Sequence, residues 1–198
     1  MMKMPGLVAP LSAWSACVAV CVLTGCASGP VATGAAPLQL ALAPAALGCS
    51  VAVQQQLTVQ PPSAAVQTLD ALLEVDGQAV HLALFHMGQR MGVLHWDGQQ
   101  LQTELSRWWP AQLPPAQVLS DLQLALWPVA AIAQALPAGW QVQEAAQGRL
   151  LSYKGQVRTD VLAAGAGAFD IRYVPAGWSL HVASPGGLQP CAVGQEAP

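Results

Sequence analysis

Charge is what this chain has least of. Asp, Glu, Lys and Arg make up 9% of its 198 residues, 54% are hydrophobic, and the formal net charge is −3. Its few Lys and Arg residues form no basic patch that could neutralise a phosphate backbone, which excludes nucleic acid as a partner. Catalytic signatures are missing as well: there is no G-x-S-x-G, no H-E-x-x-H and no glycine-rich phosphate loop. The four histidines, His81, His86, His95 and His181, have none of the spacings of a zinc motif, and His81 and His86 fall on opposite faces of an ideal strand. Asp70 and Glu74 share a strand face, but alternating carboxylates on a wet face are ordinarily solvated. No CxxC pair is present, so thiol–disulfide catalysis has no basis. These absences lead to the expectation of a protein that is not an enzyme and uses no cofactor and no metal.

The charge-free stretch near the start is more informative. After Lys3, "LVAPLSAWSACVAVCVLT" runs from Leu7 to Thr24 without a charged residue and leads into "LTGC". A run of about 18 residues stands at the lower limit for a membrane-spanning helix, and Pro10, Ser12 and Ser15 make it a poor one. The layout of a basic start, an apolar run and small residues is that of a signal peptide. Leu23-Thr24-Gly25-Cys26 resembles the bacterial lipobox, which implies cleavage before Cys26 and acylation of its thiol. Each buried methylene contributes about 0.8 kcal/mol, so several acyl chains hold far more firmly than one. Ala27 and Ser28 follow the cysteine where an Asp would signal inner-membrane retention. By that resemblance the address is the outer membrane, on its periplasmic face, with the protein lipid-anchored.

Cys17 and Cys21 would leave with residues 1–25, which leaves Cys49 and Cys191 near the two ends of the folded region. The periplasm permits disulfides. Two readings stand: a bridge closing a long loop, which corresponds to about 4–5 kcal/mol in the chain-entropy model, or two unpaired thiols. Residues 26–48, rich in Ala, Gly and Pro and free of charge, read as a tether. Residues 49–184 form the domain, and 185–198 a C-terminal tail. Domain length suffices for a sizeable core.

Within the domain, "SVAVQQQLTVQ" alternates and predicts a first strand. Asp76-Gly77, Met87-Gly88-Gln89 and Asp97-Gly98 then punctuate apolar-rich runs into a four-stranded antiparallel meander. Leu69, Ala71, Leu73 and Val75 share one face of their strand, and Val80, Leu82 and Leu84 share one face of the next. A one-sided apolar sheet needs a cover. The sequence offers it in two short helices, about 115–126 and 129–136, opened by Pro114-Pro115 and separated at Trp127-Pro128. Val118, Leu119, Leu122 and Leu126 recur at helical spacing, while Ser120, Asp121 and Gln123 are expected to face away. The segments "WQVQEA", "RLLSYKG", "QVRTDVLA", "FDIRYV" and "WSLHVA" follow as strands. The fold class expected is mainly β with a helical insertion: nine or ten antiparallel strands in a curved sheet or incomplete barrel around the helices.

The stretch from about Leu69 to Val142, with "GQRMGVLHWDG" and "LPPAQVLSDLQLALWP", resembles a family of bacterial lipoproteins of undefined function. Members are typically encoded beside fatty-acid or aryl-polyene synthesis enzymes and LolA-like carriers. Their fold is similar to LolA/LolB, an antiparallel half-open barrel covered by short helices that holds acyl chains. The resemblance implies that Leu82, Leu84, Val93 and Leu94 are barrel positions and that Leu119, Leu122, Leu126 and Trp127 lie on the lid, around a ligand cavity. The same residues serve equally as plain core. It further implies a lipid-transport role: an acyl, polyene-lipid or lipoprotein cargo accepted in an apolar cavity, with a LolA-like periplasmic carrier as a partner. The alternative is a non-catalytic scaffold lipoprotein for a lipid synthesis or export complex. Trp108 and Trp109 are candidates for membrane contact, since Trp favours the bilayer interface, or for packing on the sheet, the expectation for at least one of them.

Overall fold

The computed structural model describes residues 38–110 and 113–187. Period-two alternation of apolar and polar residues becomes one antiparallel sheet of ten strands: β1 (Val51–Gln60), β2 (Gln67–Val75), β3 (Val80–His86), β4 (Gln89–Trp96), β5 (Leu101–Leu105), β6 (Trp140–Ala145), β7 (Gly148–Tyr153), β8 (Gln156–Gly165), β9 (Ala168–Tyr173) and β10 (Trp178–Ala183). Their order across the sheet is β5-β4-β3-β2-β1-β10-β9-β8-β7-β6. Two five-stranded meanders are thus joined along the seam where β1 pairs with β10, with Leu57 opposite Val182. The sheet is not closed, because β5 and β6 are its free edges.

Turn chemistry explains the hairpins. Met87 and Gly88 both take positive φ (49° and 75°), as a two-residue turn matching strand twist requires. The two Asp-Gly turns differ from this one and from each other. Gly77 does not adopt positive φ, whereas Gly98 does. In each turn the aspartate carboxylate accepts two backbone N–H bonds, Asp76 from Gln78 and Ala79 and Asp97 from Gln99 and Gln100. Those bonds hold both carboxyls below the usual carboxylate range.

The chain crosses from one sheet edge to the other through α1 (Pro115–Leu126) and α2 (Val129–Ala135). Pro115 at the first helical position costs no hydrogen bond, and Pro128 prevents the two helices from merging. The C-terminal carbonyls of α1 are satisfied from the sheet: Arg149 of β7 donates from one guanidinium nitrogen to Leu124 O (2.9 Å) and Trp127 O (2.6 Å). A cation at this helix end is favourable. Burial pushes the Arg149 pKa below its ordinary value, against the opposing pull of its cross-strand neighbour Glu144.

Two expectations about this region are corrected. The tether assigned to residues 26–48 is too long, because residues 38–48 are part of the folded domain. Leu38, Leu40 and Leu42 are buried while Gln39, Ala41 and Ala43 are exposed, and a 3-10 turn (Pro44–Leu47) leads into β1. Ser120 and Gln123 do not face away from the protein, since they bind this strap. Ser120 Oγ accepts from Leu40 N (2.9 Å) and donates to Leu38 O (3.2 Å). The Gln123 amide accepts from Leu42 N (2.9 Å) and donates to Leu42 O (3.0 Å). Trp96 and Trp127 donate their indole N–H groups to Leu42 O and Ala43 O. The helix side chains therefore take the place that a neighbouring strand would occupy for Leu38 O, Leu40 N and both backbone groups of Leu42.

Cys49, at the end of the strap, is disulfide-bonded, which removes the free-thiol reading for that residue. Cys191, with the rest of 188–198, lies outside the described residues, as do residues 1–37 with the signal peptide, Cys26 and the remainder of the tether.

Replacing Gln123 by Ala leaves Leu42 N unpaired under the strap and opens a void. The expected loss is about 3 kcal/mol of unfolding free energy. Denaturant titration measures that loss, and hydrogen exchange should show the Leu40 and Leu42 amides losing protection before the β1–β10 seam does.

Candidate functional site

Between the inner sheet face and α1 the residues do not fill the space. The deepest part, about 60 Å³, is bordered by Leu57 and Val59 of β1, Leu69 of β2, Leu82 and Leu84 of β3, Phe169 and Ile171 of β9, and Trp178, Leu180 and Val182 of β10, with Val118, Asp121 and Leu122 of α1 above. It leads to a middle section of about 300 Å³, with which it shares Val59, Leu69, Leu113 and Trp178. That section adjoins a mouth of about 480 Å³ lined by Gln67, Leu69, His86, Gln89, Met91, Trp108 and Pro110. Leu69 borders all three. An apolar interior reached past a partly polar mouth matches a site for a long hydrophobic molecule.

Two polar side chains border the deep end. Gln55 of β1 is 3% exposed and donates to Ser184 Oγ at 3.3 Å. Asp121 is 5% exposed and accepts from Gln117 Nε2 at 2.7 Å. Burial pushes the Asp121 carboxyl up to about 7, with Tyr173 and Gln117 acting in the opposite direction. Tyr173 Oη lies near enough for the two groups to perturb each other's titration, yet it forms no hydrogen bond and is buried without a partner. The Tyr173 ring stacks on Trp178 with centroids 3.7 Å apart. Among the described residues no group of three or more His, Cys, Asp or Glu gathers as a metal site. His81 and His95 meet on the outer face with their Nδ1 atoms 3.2 Å apart.

The sequence-derived candidates divide. Leu82, Leu84 and Leu122 line the groove. Leu94, Leu119 and Trp127 are buried in the core, and Leu126 is half-buried against it; none of the four borders the groove. Trp127 instead serves the strap. Val93 is a correction: it pairs with Ala83 and Glu104 on the outer face, because Leu94 beside it points inward opposite Leu82. Trp109 packs, its indole N–H donating to Leu113 O at 2.7 Å and its ring lying where Gly92 leaves room; a Cβ there would come within 2.8 Å of it. Trp108 is 63% exposed at the mouth, with the Arg107 guanidinium 4.7 Å from its ring centroid. Leu57, Val59 and the β9–β10 residues escaped notice because their place opposite α1 depends on the β1–β10 seam. Asp121 escaped because an acid on a helix reads as solvent-facing.

A family model matches residues 52–185, two thirds of the chain, and the chain belongs to that family, described as protein of unknown function DUF3261. A search of the curated proteins finds no match.

Because the folded-state pKa of Asp121 is raised from 3.8 to about 7, the native state keeps a proton that the unfolded chain releases. The contribution of this group to stability is greatest below pH 3.8, falls as pH rises toward 7 and is level above it. Asp121→Asn should abolish that component, so the melting temperature of the native chain minus that of the variant should fall from acid to neutral pH and then become constant.

Proposed function

We propose that this protein is a lipid-anchored carrier or acceptor of hydrophobic cargo, with a half-open LolA/LolB-like barrel in which the groove under α1 receives an acyl or polyene chain. The observation that carries this reading is the run of three adjoining spaces that share Leu69, from a mouth of about 480 Å³ edged by Gln67, His86 and Gln89 to an apolar end bordered by both meanders. Transfer in this scheme breaks no covalent bond. It requires only that the cargo be held more firmly here than by the molecule delivering it, with buried apolar area supplying about 25 cal/mol per Å².

Acylation of Cys26 would tether the domain to the periplasmic face of the outer membrane. The lipobox-like Leu23-Thr24-Gly25-Cys26 supports this address, as does the resemblance to a lipoprotein family. A LolA-like periplasmic carrier fits as the delivering partner. Trp108, exposed at the mouth beside Arg107, suits contact with the bilayer interface or with that carrier.

Native mass spectrometry of the freshly purified full chain tests the proposal. Co-purified acyl or polyene species are expected, together with binding of added fatty acid. Leu69→Trp, which obstructs the passage common to all three sections, should remove the species and weaken fatty-acid binding at least tenfold, at an overpacking cost of about 1–3 kcal/mol. A native chain that is free of ligand and refuses fatty acid would leave the scaffold reading in its place.

A further inference from the structure

The deep end of the groove is not purely apolar, and its exceptions are specific. Gln55 comes from the sheet and Asp121 from the helix, and both border the same space of about 60 Å³. Each is at least nine-tenths buried. Gln55 uses its Nε2 on Ser184, and its Oε1 makes no hydrogen bond with the described residues. Asp121 uses Oδ1 on Gln117. The Tyr173 hydroxyl, buried beside Asp121, does not border this space. Buried polar groups ordinarily find partners, so unspent hydrogen-bonding capacity in a cavity suggests a ligand that completes it.

The lining also sets the charge of that ligand. No Lys or Arg borders the deep end, so an anionic end group would meet no counter-charge and would face an acid. Removing a cation and a carboxylate from water together carries a large desolvation cost. A neutral oxygen group carries neither penalty. Resting on the groove reading above, we propose that Asp121 and Gln55 form a subsite that hydrogen-bonds a neutral oxygen group, a hydroxyl, ester or undissociated acid, at the buried end of a long apolar chain. The carboxyl donates to the ligand oxygen, and Gln55 Oε1 accepts where the ligand carries an O–H. Protonated Asp121 is the competent form, in keeping with a carboxyl that burial pushes up to about 7.

The test compares three twelve-carbon chains that differ at one end. The full chain in mildly acidic buffer is loaded with the fluorescent apolar probe N-phenyl-1-naphthylamine, which is then displaced by 1-dodecanol, 1-chlorododecane or dodecylamine. Dodecanol should displace it at about tenfold lower concentration than chlorododecane, the difference one added hydrogen bond makes. Asp121→Leu and Gln55→Leu should each reduce that advantage while chlorododecane still binds, which shows that the groove is intact. Asp121→Asn, which keeps a donor, should retain it. Equal displacement by the alcohol and the chloride in the native chain, or an advantage untouched by both leucine variants, would overturn the subsite and leave the groove standing. Tightest displacement by dodecylamine would overturn it in favour of a charged pair. If neither probe nor any chain binds, the groove reading itself fails and the subsite with it.

Discussion

The groove depends on how α1 is held. A helix that covered the sheet and turned a polar face to water would be free to settle until the space beneath it closed. Instead α1 lies between two layers, with Val118, Asp121 and Leu122 toward the groove and Ser120 and Gln123 toward the strap. Four side-chain hydrogen bonds from these two residues tie it to Leu38, Leu40 and Leu42, and Arg149 ties its C-terminal end to β7. The strap is itself fixed by leucines that bury against the core. Pairing backbone to side chain in this way is costly to break, since any slip leaves buried N–H and C=O groups without partners.

The sheet supplies the other constraint. Every sheet neighbour is a consecutive strand except at the seam of β1 and β10, which come from opposite ends of the domain, while consecutive β5 and β6 lie at opposite edges. That seam brings Leu57 and Val59 beside Leu180 and Val182 and so makes one concave lining from two meanders. The mouth lies at the end of β2, β3 and β4, where Gln67, His86 and Gln89 stand beside Trp108 and Pro110 of the segment after β5. Position and access therefore have separate origins, the first in the strap and Arg149, the second in the strand ends around the β3–β4 turn.

Against this apolar background the buried Asp121, Gln55 and Tyr173 run counter to the local chemistry. Desolvation of the carboxyl and an orphaned phenol oxygen both cost stability. Local inconsistencies of this kind are expected where function, not packing, has set the residue.

Much of this architecture was legible in the residues themselves. Alternation and turn chemistry located the strands, and prolines bounded the helices, because these features act over a few neighbouring positions. The inward set on β2 and β3 followed from period two, which also forbids Val93 and Leu94 from sharing a face. The strap was less visible: "LQLAL" alternates, but alanine, glycine and proline around it hide five residues of strand-like pattern, and its partner lies some eighty residues away. Polar letters on α1 could not disclose whether water or a second layer met them. The sequence by itself determined the elements and their apolar faces, since those depend on local geometry. Only the tertiary structure decided that the strap buries Ser120 and Gln123, that β1 joins β10, and that an acid faces the groove, since each arises from contacts between residues far apart in the chain.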